Sequence, residues 1–316
     1  MPTTPLLDRS PAGWVTDGGL ETDLIHHHGV ELPEFAAYPL LGTVAGRALL
    51  RAYFLGFAAV ARAAGAGLLL ETPTWRANAR WGARLGDDVP ALRRANADAV
   101  ALVRGLREDA LADLPAVLTV GMVGPRGDGY RCEGIRPDEA CAYHRDQVEV
   151  LADSGIDLVA AYTLSGADEA IGIVWAARTA GVPVSISFTV ETDGSLPDGT
   201  SLAAALDRLQ SEAPADHYLV NCAHPRHIAL AVASLTSEQR ALIRGVRGNA
   251  SSMSHAELDN ADRLDEGDPR DFGAASRALR HALPGLAILG GCCGTDTRHV
   301  AAIWGTDGAA EAPAGA

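Results

Sequence analysis

Residues 157–190, DLVAAYTLSGADEAIGIVWAARTAGVPVSISFTV, contain two apolar, β-rich runs (157–162 and 183–190) on either side of an alanine- and isoleucine-rich segment of helical period (167–180). Continuous apolar strands joined by a helix form a right-handed βαβ crossover whose strands run parallel and are buried on both faces. The same unit recurs along the chain. Further strands are expected at 14–19 (WVTDGG), 67–72 (GLLLET), 117–124 (VLTVGMVG), 217–222 (HYLVNC), 242–249 (LIRGVRGN) and 286–291 (LAILGG), eight in all. Helical segments at 45–64, 89–111, 138–154, 202–210 and 272–281 lie between them. Eight repeats predict an α/β fold of the (β/α)8 TIM-barrel type rather than an open doubly wound sheet. A single barrel domain over 1–308 is expected, with a frayed tail at 309–316.

Composition agrees with that size of domain and excludes several functions. The chain has 316 residues, 47% of them hydrophobic, enough to bury one large core. A formal net charge of −14 argues against a nucleic-acid partner, because phosphate binding needs clustered Lys and Arg. The N-terminus lacks the basic start and apolar stretch of a signal peptide, and no unbroken apolar run reaches the roughly 18 residues of a membrane span. A soluble cytoplasmic protein with no membrane partner is therefore expected. Glycine pairs follow strands here without the G-x-G-x-x-G spacing of a dinucleotide site. Nothing in the sequence fixes the oligomeric state.

Barrel enzymes carry their reactive groups at the C-terminal ends of the strands. Asp17, Glu71, Thr72, Tyr162, Glu191, Asn221, Cys222, Asn249, Cys292 and Cys293 all fall at such ends. Five cysteines are too few for a disulfide framework in a chain this long, yet two of them are adjacent in LAILGGCCGTDTRHV. Strands six and eight are alternate staves, so Cys222, Cys292 and Cys293 share one rim. Three thiolates converging on one point repel unless a cation sits among them, and zinc is the usual soft-ligand partner. Three protein ligands leave a tetrahedral position open, as in catalytic zinc sites. The flanking Gly290 and Gly291 are expected to let the backbone turn sharply, and Gly294 to adopt a positive φ. The bland alternative makes the pair small buried residues at a tight strand end, which is the expectation for Cys132 and Cys141.

An open position ringed by sulfur suits a thiol substrate, because metal coordination removes the thiol proton and yields a nucleophile at neutral pH. Bound water is the competing occupant and would give a hydrolase. A non-catalytic zinc- or thiol-binding protein is a third alternative.

VTDGGLETDL, ETPTWRAN, GMVGPRGDGY, SISFTVETDGSLPDGTSL, VNCAHP and GGCCGTDTRHV together resemble the homocysteine S-methyltransferase family over nearly the whole chain. The resemblance implies a (β/α)8 barrel, zinc held by Cys222, Cys292 and Cys293, and methyl transfer from a small onium donor to homocysteine, giving methionine. It places Asp17, Gly18 and Gly19 beside the amino-acid part of the thiol substrate, and Thr72 and Trp75 between that thiol and the donor. A Trp face can attract an onium group by cation–π interaction. Tyr162, Glu191 and Asn221 complete the expected substrate contacts.

One departure stands out. Many members carry a glutamate after the fourth strand that binds the substrate amine, whereas VAAYTLSG has Ala161 and Tyr162 there. Asp17, Glu21 or Glu191 would then supply the charge, or the acceptor is another thiol. Arg76 would repel an onium donor unless that donor also carries a carboxylate; otherwise it is a surface residue. His26, His27 and His28 cannot all face one metal from a helix and are expected on a solvated face, while His224 and His299 are candidate donors behind the zinc ligands.

Overall fold

Alternating apolar strands and amphipathic helices close on themselves in the computed structural model, which describes residues 6–259 and 263–307. Strands β1 (Trp14–Val15), β2 (Gly67–Glu71), β3 (Val117–Val123), β4 (Leu158–Leu164), β5 (Val184–Phe188), β6 (His217–Asn221), β7 (Ile243–Gly248) and β8 (Ile288–Gly291) form a closed barrel in chain order. Every neighbouring pair is parallel, including the closure of β1 on β8. The helices are α1 (Leu20–His26), α2 (Val44–Ala64), α3 (Ala79–Leu85), α4 (Val89–Ala110), α5 (Pro137–Asp153), α6 (Ala167–Ala180), α7 (Leu202–Glu212), α8 (Pro225–Ala233), α9 (Ser237–Leu242), α10 (His255–Asp259), α11 (Pro269–Ala282) and α12 (Thr297–Trp304). The expected tail at 309–316, and with it the end of the domain at 308, lies outside the described residues.

The six helices expected from periodicity appear as α2, α4, α5, α6, α7 and α11. The others are short, and α8, α9 and α12 among them start from side-chain caps rather than from long apolar stripes. In α9, for example, the Thr236 hydroxyl accepts from the Gln239 amide at 3.2 Å while the Gln239 side chain accepts from the Thr236 amide at 3.0 Å. Length and composition alone would let α2 cross a membrane. Here its Leu50, Phe54, Phe57, Ala58 and Ala61 are buried in the layer between helices and strands.

The largest difference from expectation is β1, which ends at Val15 instead of running to residue 19. Beyond it the backbone stays bonded to β8, with the Thr16 amide donating to Leu289 O at 3.2 Å, and then reaches the turn after β8. The Gly19 amide donates to Thr295 O at 2.9 Å and the Gly291 amide to Asp17 O at 2.9 Å. Gly290 and Gly291 serve this close approach rather than a sharp turn. A Cβ on Gly290 would lie 1.9 Å from Thr16 Oγ1, and one on Gly291 1.9 Å from Thr295 Oγ1. Gly294 does adopt the expected positive φ, at 75°.

Because strand side chains alternate between faces, the barrel holds two kinds of core. Val159, Ala161, Val184, Ile186, Val220 and Val246 pack outward against helices. Trp14, Leu69, Leu118, Leu158, Ala160, Tyr162, Leu219 and Ile288 fill the interior. Above this apolar plug the inward positions turn polar, at Glu71, Asn221 and Arg247, all of them buried. That polar layer is the floor of the site.

Candidate active site and metal centre

Three cysteines meet at the barrel rim. Cys222 follows β6, and Cys292 and Cys293 follow β8; their sulfur atoms all lie within 4.8 Å of one another. Cys222 Sγ and Cys293 Sγ are 3.6 Å apart. A tetrahedral ion with bonds of about 2.3 Å to sulfur spaces its ligands about 3.8 Å apart, so the donor set fits one thiophilic metal ion.

The backbone is organised to aim these side chains. Cys222 has a φ of 57°, in the left-handed region that residues with a Cβ rarely occupy. Its carbonyl accepts from His255 Nε2 at 2.7 Å and Asn249 Nδ2 at 3.0 Å, and its amide donates to Arg247 O at 3.0 Å. Cys292 is tied to β7 by its amide, which donates to Gly248 O at 2.7 Å, and Cys293 O accepts from the Ala250 amide at 3.1 Å. Asn221 Nδ2 lies 3.7 Å from Cys292 Sγ. That amide is fixed in turn, because Asn221 Oδ1 accepts from the Thr163 amide at 2.9 Å and Ser187 Oγ at 2.7 Å. Thr163, with a φ of 63°, sits at the irregularity in β4 that turns its N–H inward.

The sulfurs share charge. Hydrogen bonds from Cys222 and Cys293, then the nearby Arg247 and Asn221, hold Cys292 well below the usual thiol range, while hydrogen bonding to the cluster pushes Cys222 and Cys293 up. The Tyr130 hydroxyl closes the cluster on one side, 3.0 Å from Cys222 Sγ and 3.6 Å from Cys293 Sγ, with its ring stacked on His255 at 4.0 Å.

Arg247 organises the layer beneath. Its guanidinium pairs with both Asp17 and Glu71, donates from Nε to Gly291 O at 2.9 Å and from Nη2 to Gly18 O at 3.2 Å, and lies 4.7 Å from the centre of the Tyr162 ring. The Tyr162 hydroxyl donates to Glu71. Burial pushes the carboxyls of Asp17 and Glu71 up against the pull of Arg247. One cation thus binds together the ends of β1, β2, β7 and β8.

These groups open on a cavity of about 390 Å³ lined by Asp17, Gly18, Gly19, Trp75, Tyr162, Asn221 and the three cysteines, within the range of small-molecule sites. Trp75 is oriented by Nε1, which donates to Tyr162 O at 3.4 Å. Two expected substrate contacts are placed elsewhere. Thr72 is buried behind the wall, accepting from the Met122 amide at 2.9 Å and hydrogen-bonded to Thr74 at 2.7 Å. Glu191 lies outside the lining, 3.1 Å from His255 Nδ1.

The accessory residues also separate. Arg76 is no surface arginine, since it lines the cavity with its guanidinium 3.4 Å from the Trp81 ring centre and 4.7 Å from that of Trp75. Glu21 lines it too, partly exposed, and desolvation pushes its carboxyl up to about 7. The three adjacent histidines are exposed as expected; His26 reaches the cavity rim, and His27 and His28 lie beside Asp23. His224 caps α8, accepting from the Arg226 amide at 3.2 Å, and His299 is held by Asp296 and Glu266 O. Neither is hydrogen-bonded to a sulfur. Cys132 is exposed and Cys141 packs at the edge of the core.

Sequence reasoning missed Arg247 and Tyr130. Arg247 had a readable signal: a charged side chain next to Val246 in an apolar strand must be paired when buried. Tyr130 carried none, since a long loop brings it to the sulfurs.

Comparison with known proteins completes the picture. The family profile described as homocysteine S-methyltransferase matches residues 14–305. Homocysteine S-methyltransferase 3 of Arabidopsis thaliana is 29% identical over 199 residues, 59% of this chain and 56% of that protein, so the chain spans little more than half the length of that relative. The homocysteine S-methyltransferase of Escherichia coli is 28% identical over 226 residues, 65% of this chain and 68% of the other. The crystal structure of the E. coli homocysteine methyltransferase MmuM in its metallated form superposes with a TM-score of 0.72 at 24% identity, covering 95% of this chain and 98% of that one, and so shares the fold. With a closed barrel and a family profile matched from the first strand through the last helix, the chain belongs to the homocysteine S-methyltransferase family.

Proposed function

We propose that this protein is a zinc-dependent S-methyltransferase of the cytoplasm, moving a methyl group from a small onium donor to homocysteine to give methionine. The observation that carries the proposal is the convergence of Cys222, Cys292 and Cys293 on the wall of a cavity large enough for small substrates. Zinc held by those three sulfurs would accept the acceptor sulfur as a further ligand and favour its thiolate form.

The chain's own residues supply position. Asn221, locked by Thr163 and Ser187, orients the Cys292 sulfur. Asp17, Gly18 and Gly19, anchored by Arg247, form the wall next to the cysteine turn, where the amino-acid end of the acceptor would lie. The Trp75 ring lies in the cavity wall, where it would attract the positive methyl donor. In the transfer the acceptor sulfur forms a bond to the methyl carbon as the bond from that carbon to the onium nitrogen or sulfur breaks, and its electron pair leaves with the neutralised donor. Both charges vanish in this step. Holding sulfur and methyl in line at attack distance makes it effectively unimolecular.

The test is incubation of zinc-loaded protein with homocysteine and a panel of onium donors, a betaine and two sulfonium amino acids among them, with mass detection of methionine. Methionine formation that needs both substrates supports the proposal. Turnover of an ester or lactone without thiol, and no methionine with any donor, would refute it.

A further inference from the structure

The cavity must compensate for a missing acid. Ala161 and Tyr162 stand where many relatives carry the glutamate that binds the substrate amine; Ala161 is fully buried between strand and helices, and Tyr162 lines the cavity with its hydroxyl donating to Glu71. Among the described residues, the acids that line the cavity are Asp17, Glu21, Asp128 and Asp265. Three of them are engaged: Asp17 by Arg247, Asp128 by the Tyr130 amide at 2.8 Å, and Asp265 by Ser251 Oγ at 2.5 Å and the Gly267 amide at 3.1 Å. Glu191 is turned to His255. Glu21 makes no ion pair with any described residue. It begins two residues after Gly19, whose Cα approaches the cysteine turn so closely that a Cβ there would lie 2.6 Å from Cys292 O and 3.0 Å from Cys293 Cα. Glu21 therefore lies in the first turn of α1, which starts beside the cysteine turn, and it lines the cavity.

The same cavity holds an unmatched cation. Arg76 forms no salt bridge with a described residue, and its buried Nε and Nη1 have no hydrogen-bond acceptor. The indole rings of Trp75 and Trp81 hold the guanidinium in place without neutralising it. Unpaired charges in partly desolvated surroundings are costly unless a ligand completes them. Here two such groups, of opposite sign, line one cavity without forming a salt bridge, although each charge acts on the other and Asp128 also acts on Arg76.

We infer that Glu21 and Arg76 are the specificity-determining pair for the amino-acid end of the thiol acceptor, Glu21 receiving the α-ammonium and Arg76 the α-carboxylate. The inference rests on the proposed function for the identity of the acceptor, and it gives the chain its own way of reading a zwitterion that the strand-four position no longer reads. An acceptor lacking either group leaves one charge unmatched in the cavity.

Three ligands separate the contributions: homocysteine, 4-mercaptobutyrate, which lacks the ammonium, and 3-mercaptopropylamine, which lacks the carboxylate. Calorimetric Kd values are measured on zinc-loaded wild type, Glu21→Gln and Arg76→Met, each checked for unchanged zinc content and melting temperature. Wild type should prefer homocysteine to both analogues by on the order of 10- to 100-fold, the range of a charge-assisted hydrogen bond. Glu21→Gln should erase most of the preference over 4-mercaptobutyrate and keep that over 3-mercaptopropylamine, and Arg76→Met should do the reverse. Discrimination unaltered in either variant, or all three ligands weakened alike, overturns the assignment. If wild type binds none of the three thiols, it is the proposed function that fails; homocysteine bound by wild type with selectivity indifferent to both substitutions sinks this inference alone.

Discussion

Replacing Arg247 by Met should destabilise the whole barrel, because one guanidinium neutralises two carboxylates that form no other ion pair among the described residues. Asp17 is 4% exposed, Glu71 1% and Arg247 4%, so solvent cannot take over its role. Removing one partner of a buried ion pair typically costs about 3–5 kcal/mol, since the remaining charge is left uncompensated or must be protonated. Against a total stability of about 5–15 kcal/mol, that is a large fraction. The loss also frees the carbonyls of Gly18 and Gly291, which accept from the same side chain on both sides of the cysteine turn. Urea unfolding of metal-free protein, followed by circular dichroism, should show a decrease in this range for Arg247→Met. The decrease should be smaller in the Arg247→Met, Glu71→Gln double variant than the sum of the two singles, as expected for groups in contact. Arg247→Lys should fall between, because a point charge cannot bridge two carboxylates as a planar fork does. A loss below about 1 kcal/mol for Arg247→Met, or strict additivity in the double variant, would refute the bridging role.

Cys292→Ala should abolish stoichiometric metal binding while leaving the fold intact by circular dichroism; retained metal at full occupancy would remove Cys292 from the ligand set. Gly290→Ala should lower stability by about 1–3 kcal/mol through overpacking, because the new methyl meets Thr16 Oγ1 at 1.9 Å, and a melting temperature equal to wild type would show that the two strand ends can part freely. Burial holds His217 down at about 4, with Asp216 and Asp8 opposing and Arg244 assisting, so the folded state refuses a proton that the unfolded chain takes near pH 6.5. Stability should therefore fall as pH drops from about 6.5 towards 4, by up to about 2 kcal/mol at pH 5 and nearer 1 after solvent screening. His217→Gln should blunt that acid sensitivity of the metal-free protein, and an unchanged difference in melting temperature between pH 7.5 and 5 would contradict the assignment.

The barrel was legible in the sequence because parallel strands buried on both faces leave a strong local signature: the run at 183–190 becomes β5, Val184–Phe188, and the segment at 167–180 becomes α6 with the same bounds. Helices that start from caps were less legible, since α8 and α12 depend on side chains of His224 and Asp296 rather than on long apolar stripes. The cysteines could be read because strand order fixes which rim they share. What the sequence did not disclose depends on long-range contacts: the bridge from Arg247 to Asp17 and Glu71 spans some two-thirds of the chain, and the backbone after β1 is bonded to β8 and to Thr295 in the turn beyond it. Thr72 and Glu191 share their strand ends with site residues, yet the local backbone turns one into the wall and the other toward His255. Strand position gives the rim on which a residue lies; side-chain direction needs its neighbours.

The most direct measurement is zinc-edge X-ray absorption on the loaded protein, before and after addition of homocysteine. The account predicts a first shell with three sulfur neighbours that becomes four sulfurs at about 2.3 Å when the acceptor is added. A sulfur count that stays the same on saturation with homocysteine would contradict it.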